Sequence, residues 1–291
     1  MTGTPKDAPG AGTSVRCVDL HMHSTASDGS LPPDAVVGAA AAAHLTSIAL
    51  TDHDTVAGIA AARDAGARLG VRVVAGVELS ATDAGNEAHL LGLHLSRLDA
   101  IERHLVVFRE TRRARAARMV ERVNALGVPL ALEAVLAEAG DAAIGRPHVA
   151  RALVAGGWAK DIRDAFDRLL GNGRPAFVPK YRLTLGEAIG LVHDAGGLAV
   201  LAHPGSSGTR ERLETLRAEG LDGVEVRHPG HSAEDIARLG ALVEHLDLLP
   251  SGGSDWHGAK TGPRVIGSMH VPESWLARQD ARLRAASANV A

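Results

Sequence analysis

The sequence predicts an α/β fold in which parallel strands close into a barrel-like sheet that carries a helical insertion. Two observations predict it. Seven short apolar runs recur along the chain, and the first four are separated by helical stretches, the alternation expected of βαβ units. Between Leu98 and Lys180 that alternation stops, and apolar residues spaced three and four apart take over, as in amphipathic helices.

Residues 1–15 are rich in Gly, Pro, Thr and Ala without an apolar signal-peptide core, and read as a disordered lead-in. Residues 17–20 form the first buried strand. Pro32, Pro33 and Asp34 then start a helix over 33–43, whose small-residue run 35–43 is too short and too weakly apolar to span a bilayer. Strands follow at 47–50, 72–76 and 88–93, with a helix at 55–69. The insertion reads as helices at 101–126, 130–138, 147–154 and 161–169. Strands at 198–202, 223–226 and 248–250 complete the set, and seven strands favour barrel-like closure over an open sheet. The expected organisation is a lead-in (1–15), a barrel (16–97 and 181–270), a helical subdomain (98–180) and a C-terminal helix or tail (271–291).

Composition narrows the function classes. With 291 residues the chain has room for one large α/β domain bearing an insertion. A net charge of −3 argues against both a generally basic nucleic-acid binder and an acidic solvating tail. The single cysteine, Cys17, precludes an intramolecular disulfide, fits a reducing compartment and reads as a small buried hydrophobe. A cytoplasmic location is the default expectation, with no membrane association and no stable protein partner implied.

The chemistry gathers at the strand ends. The first strand runs into His21 and His23, which alternation places on one face, with Asp28 in the loop beyond. The second runs into Asp52-His53-Asp54. The third leads to Glu78, and the fourth carries His89. The fifth ends in His203-Pro204, the sixth leads to Arg227 and His228, and the last to Asp255 and His257. Barrel active sites are fed by several strand ends at one face, so residues this far apart in sequence converge in such a fold. One histidine after a strand is ordinarily a hydrogen-bonded structural group; seven strand ends repeating the pattern point to metal. Imidazoles and carboxylates without thiolate suit Zn, Mn or Fe(II). Nine candidate ligands (His21, His23, Asp28, His53, Glu78, His89, His203, Asp255 and His257) suffice for two or three divalent ions.

The order HxH…D, TDHDT, GVELS, HLLGL, AHP and GSDWHG resembles the polymerase-and-histidinol-phosphatase (PHP) family over nearly the whole chain outside the tails. The resemblance implies a distorted (β/α)7 barrel with a trinuclear metal centre. It would place His21, His23, Glu78 and Asp255 on a first ion and make Glu78 a bridge to a second held by His89 and His203. Asp28, His53 and His257 would hold a third. The stretches 145–151, 179–181 and 226–232 look like the nucleotide-directed branch, which contains 3′,5′-nucleoside bisphosphate phosphatases, AMP phosphatases and 5′→3′ exoribonucleases.

The expected reaction is hydrolysis of a nucleotide phosphomonoester (5′-AMP or a 3′,5′-bisphosphonucleotide) by a hydroxide bridging two ions. Arg146, His148 and Lys180 are the candidate substrate contacts. Arg227 is a candidate for neutralising phosphoryl charge, and His228 or His231 for protonating the leaving oxygen. The alternatives are a phosphodiesterase or exoribonuclease acting on short oligonucleotides, a histidinol-phosphate phosphatase, or a non-catalytic metal-dependent binding module. Arginines 103, 109, 112, 113, 115, 118 and 122 of the first insertion helix read as a solvated face, or alternatively as a positive field over the site. His44, His94, His104, His193, His245 and His270 are taken as ordinary.

Overall fold

The computed structural model describes residues 16–140, 144–179 and 183–288. Its first half is β1 (Cys17–Met22), α1 (Pro33–Ala42), β2 (Ser47–Leu50), α2 (Ile59–Leu69), β3 (Arg72–Asp83) and β4 (Asn86–Leu93). The insertion supplies α3 (Leu98–Ala125), α4 (Leu132–Ala139), α5 (Arg146–Ala155) and α6 (Ile162–Ala165), the last running into a π-helical turn over Phe166–Leu170. The chain then returns through β5 (Leu183–Thr184), α7 (Leu185–Asp194), β6 (Leu198–Leu201), α8 (Arg210–Ala218), β7 (Gly223–Arg227), α9 (Ala233–His245) and β8 (Leu249–Gly252). It ends in β9 (Val271–Pro272) and α10 (Glu273–Ala288).

Seven of these strands are ordered β8-β7-β6-β4-β3-β2-β1, with β9 beyond β1 and β5 paired to β3. The circle closes where Met22 bridges Trp256 in parallel and the His23 N–H donates to Trp256 O at 3.0 Å. Closure needs the backbone after β8 to lie against β1: a Cβ on Gly253 would sit 2.4 Å from His21 Cβ. The result is the distorted seven-stranded α/β barrel. Its outer face buries Ile48, Leu50, Val77 and Leu79 with α1, α2 and α7 residues such as Val36, Ile59 and Ile189. Leu276 of α10 packs with Val18, Leu20, Ala49 and Val74 at the end where the strands begin.

One expectation is corrected. The strand containing 88–93 is antiparallel, not parallel: β4 pairs β3 from Asp83↔Asn86 through Gly76↔Leu93. The two residues of the connection, Ala84 and Gly85, both have positive φ, 47° and 82°, as a primed hairpin turn requires. An antiparallel strand buried among parallel ones carries the same continuous apolar run, so periodicity does not distinguish the two. The reversal matters, because it brings His89, near the start of β4, to the face where β1, β2, β6, β7 and β8 end.

The insertion has its own buried cluster, built from Ala116, Met119 and Val123 of α3, Val135 of α4, Val149 and Leu153 of α5, and Leu169 and Leu170. The 28-residue α3 belongs to both bodies, since its first half buries Ile101 and Leu105 in the barrel's outer core. That shared helix fixes the insertion over one side of the strand-end face. Among the described residues, no helix is long and apolar enough to cross a membrane.

Candidate metal centre

The strand-end loops are braced before they present a ligand. In the Asp52-His53-Asp54 stretch the two acids do not face the centre. Asp52 accepts from Ser24 N–H, Ser24 Oγ and Ser27 Oγ, each at 2.7 Å, and so holds the loop that carries Asp28. Asp54 accepts from the backbone N–H and Oγ of Ser80, both at 2.8 Å, and from Arg112. Between them, His53 is pinned beside Glu78 through Asp54 N–H to Glu78 O at 3.0 Å and Glu78 N–H to Asp52 O at 3.2 Å. Asp54, His203 and Asp255 all take positive φ (50°, 29° and 48°). Non-glycine residues pay for that conformation in strain, and such residues concentrate at functional sites.

Glu78 is the hub. Its Oε2 lies 3.1 Å from His21 Nε2, 3.2 Å from His23 Nε2 and 3.2 Å from His53 Nδ1. Its Oε1 lies 2.8 Å from His89 Nδ1 and 3.0 Å from His203 Nε2. Asp255 Oδ1 approaches His23 Nε2 at 3.2 Å and His21 Nε2 at 3.5 Å. Asp28 reaches His257 at 3.2 Å, His23 at 3.8 Å and His53 at 3.9 Å. All nine residues singled out from sequence therefore meet at one face.

Their donor atoms fall into three overlapping groups able to hold a cation: His21, His23, Glu78 and Asp255; His53, Glu78 and His89; and His23, Asp28, His53 and His257. The first matches the set implied by the resemblance. The other two differ from it in sharing His53 with Glu78 and His23 with Asp28, while His203 sits 3.3 Å from His89 at the margin. A cation fits this arrangement on one further observation. His23 is wholly buried, yet both of its ring nitrogens lack a hydrogen-bond partner, and buried polar atoms are rarely left so.

The PHP domain family matches residues 19–127. A 3′,5′-nucleoside bisphosphate phosphatase from Chromobacterium violaceum is 36% identical over 257 residues, which are 86% of this chain and 90% of that protein. The chain belongs to the PHP family. The 5′-3′ exoribonuclease Rnm of Escherichia coli is 37% identical over 247 residues, covering 82% of this chain and 84% of its own. A crystal structure from Bifidobacterium adolescentis, described as a metal-dependent phosphoesterase, superposes with a TM-score of 0.75 and 33% identity over 92% of this chain and 96% of that one. This PHP protein is accordingly a metal-dependent phosphoesterase, a hydrolase.

Burial and the charges of neighbouring groups pull the side chains of the PHP centre in opposite directions. Burial opposes charge on Glu78, but the His21 and His53 rings outweigh it and hold the carboxyl well below its ordinary range. Burial likewise opposes charge on Asp28, and His257 and His53 bring it down to about 2. On His21 burial is overcome by Glu225 and Glu78, which raise it well above 6.5; His23, His89 and His257 are also raised. His53 goes the other way, to about 4, chiefly through burial. A metal takes neutral imidazole, so loading must expel the raised protons. Metal affinity is therefore expected to fall as pH drops through and below those raised values. Calorimetric Mn²⁺ titration in two buffers of different ionisation enthalpy checks this: identical apparent enthalpies would mean that no proton leaves.

The sequence reading passed over three residues here. Glu225, buried in β7, accepts from His21 Nδ1 at 3.0 Å and from the His203 N–H at 2.7 Å. Asp19, buried in β1, accepts from the N–H groups of Ser254 and Gly267, each at 2.9 Å. Both carried a signal, an acid inside an apolar strand run, where acids are seldom buried unpaired. Arg264 reaches Asp255 from a loop with no distinguishing pattern.

The non-metal candidates divide. His228 is buried beside Asp255, with Nε2 at 3.3 Å from Oδ2. His148 lines the cavity between the cluster and the insertion. Three others are not brought to the site. Arg146 lies between the Phe166 and Phe177 rings and donates to Asn172 Oδ1, bracing the insertion. Arg227 donates to the carbonyls of Met269 and His270 and covers the Trp275 ring, tying β7 to the C-terminal segment. His231 has both nitrogens engaged by backbone, donating to Val226 O and accepting from Gly205 N–H, which leaves no nitrogen for substrate. Lys180 lies outside the described residues. The arginine-rich helix proves mixed: Arg103, Arg113, Arg118 and Arg122 are exposed, whereas Arg115 is buried and Arg112 turns towards the barrel.

Proposed function

We propose that the protein hydrolyses a phosphomonoester of a nucleotide, with a 3′,5′-bisphosphonucleotide as the preferred substrate class. The observation that carries this is a cavity of about 600 Å³ between the metal-competent cluster and the insertion. That is the size of a small-molecule site. Asp28, His53 and His89 line its barrel side, and Arg112, His148 and Arg151 its insertion side. Arg112, which lines the cavity, is held by Asp54, while its buried Nε has no hydrogen-bond partner. His148 Nδ1 accepts from Gly145 N–H at 2.8 Å, so its proton sits on Nε2. A ligand with one phosphate at the cluster and a second at these donors satisfies both walls, and arginine is the usual partner of phosphate.

In this reading eight of the nine ligands would hold three divalent ions, of Mn, Fe or Zn, in the three groups described, with His203 at their margin beside His89 and Glu78. Bound there, the ions neutralise phosphoryl charge and acidify a water that serves as nucleophile. The water oxygen bonds to phosphorus as the ester P–O bond breaks. His228 Nδ1 accepts from Gly230 N–H at 3.0 Å, which leaves its proton on Nε2, at the wall of the inner cavity. That N–H is placed to hydrogen-bond the leaving oxygen, which takes up one proton of the attacking water by way of solvent while the other stays on the released phosphate. We also assign the barrel to 16–97 and 181–270 and the helical subdomain to 98–180, a division supported by their separate buried clusters.

The purified protein with Mn²⁺, assayed in parallel on AMP, 3′,5′-bisphosphoadenosine, short RNA and histidinol phosphate, is expected to release phosphate fastest from the bisphosphonucleotide. Nucleotides released faster from RNA would replace the phosphatase reading with an exoribonuclease one. Silence on all four would leave a binding module.

A further inference from the structure

We propose that Arg264 is a catalytic residue that grips the phosphoryl group during its transfer, an assignment that rests on the phosphoesterase reading above. Arg264 lies in the loop after β8, and its Nη1 donates to both the carbonyl and the Oδ2 of Asp255. A guanidinium carries five N–H groups in a planar fork. Two are used on Asp255; Nε and Nη2 have no hydrogen-bond partner among the described residues, and the side chain is 45% exposed. Arg264 lines the inner cavity of about 230 Å³ together with His53, Glu78, His203, His228 and His257.

The two carboxylate oxygens of Asp255 have different neighbours there. Its Oδ1 faces the imidazoles of His21, His23 and His257, while its Oδ2 faces His228 and Arg264. A phosphoryl group seated against the metal-competent atoms thus lies beside the one guanidinium placed on this wall. A planar fork matches two phosphoryl oxygens, which a point charge does not. The loop is also anchored. Gly267 N–H donates to buried Asp19 at 2.9 Å, and Trp256 Nε1 to Ala259 O at 2.9 Å, so the arginine is positioned before substrate arrives. Donors preorganised where charge develops contribute most to catalysis. Arg264 forms and breaks no covalent bond and moves no proton; it holds two non-bridging oxygens while water displaces the alcohol.

The competing role is a clamp that merely orients Asp255 for metal. Arg264→Ala and Arg264→Lys separate the two when Mn²⁺ affinity, orthophosphate affinity of the Mn²⁺-loaded protein, and kcat are measured together. The alanine variant is expected to lose about 10²–10³-fold in kcat and to weaken orthophosphate at least tenfold, with Mn²⁺ affinity near wild type. Added guanidinium should restore part of its turnover, and the lysine variant should recover orthophosphate affinity only partly. Unchanged orthophosphate affinity, or Mn²⁺ affinity falling in step with kcat, overturns the proposal. A wild-type protein that binds no orthophosphate and cleaves no phosphoester overturns the underlying reading instead, whatever the variants do.

Discussion

Replacing Glu78 with glutamine is expected to remove metal and turnover together. No other side chain in the centre is placed to be shared so widely, because its two oxygens lie 2.8–3.2 Å from five imidazoles. Glutamine keeps the shape but gives up the negative charge and turns one acceptor into a donor. In a buried site that exchange sets an amide N–H against nitrogens that must offer lone pairs to a cation. Turnover should fall by more than about 10³-fold, beyond the loss typical of one oxyanion donor. Metal content by atomic emission, read beside the phosphatase assay, checks both parts. Near-normal turnover with full metal content would sink the assignment of Glu78 as the shared ligand.

The reach of the sequence follows from the kind of signal each residue leaves. His21 and His23 were legible because strand alternation puts them on one face, and their surroundings could be aligned with six other strand ends. His89 was legible as a ligand while its strand direction was not, since burial erases the two-fold periodicity that would mark an antiparallel strand. The turn Ala84-Gly85 held that information, and it is local where the apolar run is long. Arg146 shows the opposite failure. It lies two residues before His148, and on α5 successive residues turn by about 100°, so the two point to nearly opposite sides: His148 faces the cavity and Arg146 turns to Phe166 and Phe177. Arg112 needed a tertiary fact, the angle at which α3 crosses the barrel, to be told from its solvated neighbours.

Glu225 carries the second large effect. Its two oxygens serve two different ligands, fixing the ring of His21 through Nδ1 and the backbone of His203 at its strained φ of 29°. By holding the proton on Nδ1 it leaves His21 Nε2 as the nitrogen that faces Glu78 and Asp255, the side from which a cation would be bound. Carboxylates in this position typically contribute 10–100-fold to metal affinity. Glu225→Gln is therefore expected to weaken Mn²⁺ binding by about 10–100-fold and to recover most of its turnover when Mn²⁺ is raised to saturation. Glu78→Gln, lacking a ligand rather than its support, should not recover. A metal titration of activity in the two variants distinguishes them. If Glu225→Gln binds Mn²⁺ as tightly as wild type, the carboxylate serves only the apo protein, where it neutralises His21, and its link to the metal centre falls.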